Sequence, residues 1–134
     1  MGIKLWMVFE AVAAEKADVE ESLEDHVDAM KSEDDIDIIE IEKDETERME
    51  DPHPSLDEGY SQVLEMRAEF GSFPKAVETV INYGPTYVQV EGPDSYTMDL
   101  AESQESLQSV AKTMHKYAQM GAGGVLISKA GDEN

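Results

Sequence analysis

The chain has 134 residues, 40% of them hydrophobic and none of them cysteine, which suits one domain with a real core and excludes disulfides, thiolate nucleophiles, zinc ribbons and iron–sulfur ligation. Thirty-one acidic residues against ten basic ones give a net charge of −21, a field that repels phosphate backbones and anionic lipid, so neither nucleic acid nor membrane is an expected partner. No apolar run approaches the roughly 18 residues of a bilayer span, the start lacks a cleavable signal pattern, and the expected location is cytoplasmic.

The acidity carries its own implication. Like charges crowd together on folding, and the screening length falls from about 10 Å in 0.1 M salt to about 3 Å in 1 M salt. Eight of the ten basic residues are lysine, with only Arg48 and Arg67 besides. An acidic surface over an ordinary core pattern fits a halophilic archaeal protein better than an acidic mesophilic one. Nonspecific cations are expected on that surface.

Ile3, Leu5, Met7, Phe9 and Ala11 alternate with Lys4, Trp6, Val8, Glu10 and Val12, the period of a strand. From Ala17 to Ser32 the period changes: Val19, Leu23, Val27 and Met30 fall on one helical face, with acids in the first turn. Ile36, Ile38, Ile39 and Ile41 predict a second strand that bulges at the Ile38-Ile39 pair. Residues 43–59 lose apolar periodicity, contain Pro52 and Pro54, and read as a long acidic loop. Tyr60 to Phe70 restores alternation. Ser72 then caps a helix with Pro74 in its first turn, which Gly84-Pro85 stops. Thr86 to Glu91 predicts a fourth strand, and Tyr96, Met98 and Leu100 a short extended piece. Ser103 is placed as the cap of a last helix whose stripe holds Leu107, Val110, Ala111, Met114, Tyr117 and Ala118. Gly121 to Gly124 ends it, Val125 to Ser128 could add a small strand, and 121–134 reads as a flexible, glycine-rich tail.

The order β-α-β-β-α-β-α predicts an α+β fold over residues 1–120, a ferredoxin-like βαββαβ antiparallel sheet with an added C-terminal helix. If Leu5, Met7 and Phe9 face the helices, Trp6, Val8, Val12 and Val63 share the opposite face with Glu10, Glu65, Arg67 and Glu69. So apolar a patch needs a cover. The last helix folding back and a second copy of the chain are both open at this point.

No catalytic constellation emerges. His26 sits in the apolar stripe of the first helix, His53 in the acidic loop, and His115 beside the last stripe. The acidic run 33–51 fails the calcium-loop pattern, with Ile39 and Glu40 where an oxygen ligand and a glycine belong. Gly121 to Gly124 follows a helix and lacks the lysine of a phosphate loop. An RNA-recognition module needs stacking rings where the third strand has Val63, Glu65, Arg67 and Glu69. No metal site and no cofactor are expected.

The segment from Phe73 to Pro93, with its Tyr83-Gly-Pro-Thr-Tyr-Val88 junction, and the following Tyr96 to Leu100 and helix, resembles small uncharacterised archaeal ferredoxin-like domains. The likeness covers roughly the second half of the chain and implies architecture alone.

Two functions follow as expectations. One is a non-enzymatic interaction or regulatory domain that forms a homodimer or binds a protein partner through Trp6, Val8, Val12, Val63 and Arg67 and through the last helix. The other is a ligand-binding protein or enzyme with a cleft at His26, Tyr83 and Tyr87.

Overall fold

Alternation in the first segment builds the strand β1 (Ile3–Ala13), whose Ile3, Leu5, Met7 and Phe9 are buried while the residues between them are not. The computed structural model describes residues 2–53 and 56–119, and their side chains except at 51–57. After β1 come α1 (Lys16–Lys31), β2 (Ile36–Lys43), β3 (Glu47–His53), β4 (Leu56–Phe70), α2 (Phe73–Tyr83), β5 (Tyr87–Gly92) and α3 (Leu100–Gln119). The fold is α+β: one five-stranded antiparallel sheet in the order β2-β4-β1-β5, with β3 paired to the far end of β4.

The register settles which side chains share a face. Leu5 pairs with Ala68 and Val90, Met7 with Met66 and Val88, and residues opposite one another point the same way. That face meets Val19, Leu23, Val27 and Met30 of α1 and Phe73, Ala76 and Val80 of α2. Met7, Met30 and Phe70 have no exposed surface. Burial of each such side chain contributes about 1.5–3 kcal/mol, and the flexible methionines fill the gaps between branched neighbours. Between Ile38 and Glu40 the β2–β4 register shifts, where the doubled isoleucine predicts a bulge, and Ile39 is half exposed.

Helix ends follow local chemistry. The Ser72 hydroxyl accepts from the Lys75 amide at 3.3 Å, and Gly84 ends α2 in the left-handed region at φ 59°. Such a φ costs an L side chain roughly 1–2 kcal/mol. The last helix starts earlier than predicted: Asp99, not Ser103, caps it, its carboxylate accepting from the Glu102 amide at 2.9 Å. The Ser103 hydroxyl instead donates to the Asp99 carbonyl. Tyr96 to Leu100 forms no strand. Tyr96 ties two helices, its hydroxyl accepting from the Phe73 amide and donating to Glu102.

The stretch 43–59 is not a loop. It holds β3 and the start of β4, which pair from Glu47 opposite Ser61 to His53 opposite Leu56. Alternation reports burial of one face, and this hairpin extends beyond the helices, so its backbone pairs without an apolar signature. Polar links hold it instead. Gln62 donates to the Asp44 carbonyl at 2.9 Å, and Arg48 pairs with Glu58 at 2.7 Å. The tail from 121 onward, with its proposed strand, lies outside the described residues.

Candidate functional site

Three surfaces draw together the residues that the sequence singles out. The first is the sheet face opposite the helices. β1 places Trp6, Val8 and Val12 there, in register with Arg67, Glu65 and Ser61 of β4, and β5 adds Gln89 and Tyr87 beside Trp6 and Val8. Trp6 is half-buried by its own neighbours. Its Nε1 donates to Glu65 at 3.2 Å, and the Tyr87 ring stands edge-on to it, centroids 5.5 Å apart. Arg67 lies across the strands and pairs with Glu40 on β2 at 2.8 Å and Glu91 on β5 at 2.9 Å. Those bonds, to Glu91 first and then Glu40, hold its guanidinium pKa above the usual value. Val63 is partly covered, and Val12 keeps 41% of its surface exposed.

No helix among the described residues covers this face. α3 does not fold back over it. It runs along α2 on the other side of the sheet, with Ser109 and Thr113 beside Glu78 and Asn82. This forms the second surface. No α3 residue belongs to the core cluster. α1 and α2 already fill the helix-bearing face, so α3 meets α2 through small polar residues such as Ser106, which is 9% exposed. Its apolar stripe faces outward: Leu107 is 70% exposed, Met114 47%, Val110 44% and Tyr117 40%.

The third surface is the cleft expected at His26, Tyr83 and Tyr87. The first two do meet. His26 Nε2 lies 2.6 Å from the Tyr83 carbonyl, an unpaired acceptor at the end of α2, so this nitrogen is the donor and closes the helix end. The His26 ring packs edge-on against Phe9 and Tyr83. An open cavity of about 300 Å³ adjoins the pair, lined by Phe9, Glu10, Leu23 and Gly84 among others. Tyr87 is not part of it: odd residues of β5 turn to the Trp6 face. The sequence missed a neighbouring cluster altogether. Glu33, just beyond α1, accepts from Lys75 Nζ and from the Tyr83 hydroxyl, while Lys75 also bonds Glu78 at 3.0 Å. The bonds from Lys75 and then Tyr83 hold the Glu33 carboxyl below its ordinary range. Burial, reinforced by Glu33, pushes the Tyr83 phenol up to about 12. Burial alone would lower Lys75, but its bonds to Glu33 and Glu78 prevail and raise it. No sequence period could have revealed this cluster, because its partners are 42 and 50 residues apart.

These polar atoms satisfy one another and clamp the end of α1 to α2. Among the described residues no group of three or more histidine or acidic side chains could hold a metal ion, and no helix is long and apolar enough to cross a membrane.

Comparison with curated proteins and with solved structures found no match. The model of the MJ0538 family, an uncharacterised family named after an archaeal protein, matches residues 4–129, nearly the whole length. The chain belongs to the MJ0538 family.

Proposed function

We propose that the chain is a non-enzymatic interaction domain that self-associates or binds a protein partner through α3 and the Trp6 face of its sheet. One observation carries this reading: the longest helix, 20 residues, turns Leu107, Val110, Met114 and Tyr117 to solvent. In a chain that places 31 acids on 134 residues, an exposed apolar stripe is the surface that a partner would cover. The Trp6 face is the lesser part, since Tyr87 and Arg67 already shield much of it. The cleft reading has weaker support, because His26 and Tyr83 bond each other.

The order β2-β4-β1-β5 supports the finer fold reading, a ferredoxin-like plan in which β3 is an excursion between two of the four principal strands and α3 is the addition. The net charge supports a protein adapted to high salt, as in halophilic archaea, and a cytoplasmic location goes with that reading. Light scattering in about 1 M salt, where screening reaches about 3 Å, tests the function. Wild type should exceed the monomer mass, and Leu107→Glu and Met114→Glu should return it to the monomer. A strictly monomeric wild type that captures nothing through α3 would sink the proposal.

A further inference from the structure

Among the described residues β5 is an edge strand, paired to β1 on one side. Proteins guard such edges with charge, bulges or cover, because free backbone groups invite another strand. The opposite edge is guarded: β2 carries Asp37, Glu40, Glu42 and a bulge, and β3 carries Glu47 and Glu50. β5 is not. Its sequence is Tyr87-Val-Gln-Val-Glu-Gly92, and its one charge, Glu91, is held inward by Arg67. Val90 points to the helix-bearing side and is 55% exposed.

α3 lies on that same side, and its acids are confined to its first turns, Glu102 and Glu105. From Ser106 to Gln119 it has no carboxylate and two lysines, in a protein of net charge −21. Two copies of so acidic a chain repel wherever carboxylates meet, and like charges set opposite one another are costly. The β5 edge and the α3 stripe together offer an approach that brings almost none together, and both expose apolar side chains there.

Resting on the interaction reading above, we infer that the occupant is a second copy of the chain: β5 pairs with its symmetry mate in antiparallel fashion about a two-fold axis, continuing the sheet, and the two α3 stripes close over the Val90 side. A closed two-fold contact of this kind uses the same surface twice and leaves only the guarded β2 and β3 edges outermost.

The absence of cysteine makes the test clean, since a single introduced cysteine can cross-link only between copies. Opposed residues in an antiparallel pair lie about 4.5–5.5 Å apart at Cα, inside the roughly 4.4–6.8 Å range of a disulfide. Val88→Cys, Gln89→Cys and Val90→Cys would be oxidised in about 1 M salt, beside Asp28→Cys on α1 and Val12→Cys on the sheet face. The expected result is a covalent dimer from at least one β5 variant, in roughly tenfold excess over Asp28→Cys, together with a dimer that Val90→Lys weakens by roughly tenfold without loss of helical signal. A dimer that cross-links through Val12→Cys and not through β5 overturns the edge pairing while leaving the interaction reading intact. A monomer whose β5 amides resist hydrogen exchange overturns it by showing the edge covered from within the chain. A monomer with fast-exchanging β5 amides and no partner for α3 overturns both.

Discussion

Replacing Glu33 with glutamine tests whether the clamp between α1 and α2 contributes to stability. The carboxylate accepts from Lys75 and Tyr83, and the Glu33 and Lys75 side chains are only 29% and 19% exposed. Hydrogen bonds to charged groups contribute about 1.5–3 kcal/mol. Here the loss is partial, since Lys75 keeps Glu78 and the new amide oxygen can still accept from Tyr83. Glu33→Gln should therefore cost about 1–2 kcal/mol, a fall of about 0.5–1 M in the urea midpoint for a chain of this size. An opposing effect must be separated. Removing one of the negative charges from a chain of net −21 relieves general repulsion. Urea titration in about 1 M salt screens that repulsion while leaving short contacts in place, and Glu24→Gln, an exposed acid on α1, serves as the control. The pH dependence has a fixed sign. The folded state holds the Glu33 carboxyl below its unfolded value of about 4.3, so its contribution is complete above that value and disappears as pH falls through the lower, folded one. Wild type and Glu33→Gln should thus converge only in strong acid. Equal midpoints at neutral pH in high salt, or a more stable Glu33→Gln, would refute the reasoning.

Met114→Gln and Leu107→Gln should change monomer stability by less than about 0.5 kcal/mol, as exposed sites do, whereas Leu23→Ala in the core should cost about 2–5 kcal/mol; comparable losses in urea titrations would mean that α3 is packed inward after all. Gly84→Ala should cost about 1 kcal/mol through its left-handed backbone, and Gly84→Asn less; an unchanged melting temperature would contradict the φ of 59°. Tyr87→Ala should shift Trp6 emission to the red and cost about 1 kcal/mol from the lost ring contact, and no spectral change would place Trp6 elsewhere. Melting temperature should rise steadily from about 0.1 M to 1 M salt as repulsion is screened, and a fall would defeat the high-salt reading.

The sequence by itself determined the elements that cover the core. Ile3 to Phe9, Val19 to Met30 and Leu64 to Phe70 announce their period because one face of each is buried, and Ser72 and Gly84 mark helix ends through chemistry that acts within a few residues. Even the split into a core face and a Trp6 face was legible, since a strand's period of two admits only two answers. What tertiary structure alone decided lies where the governing contact is distant or the buried face is missing. The β3 hairpin pairs backbone to backbone outside the core, so it leaves no hydrophobic trace. The α3 stripe has a period identical to that of a core helix, and only the prior occupation of the sheet by α1 and α2 turns it outward. Glu33, Lys75 and Tyr83 look like three ordinary surface residues until the chain folds them together. Periodicity records that a face will be covered; which partner covers it is settled by the space that the other elements leave.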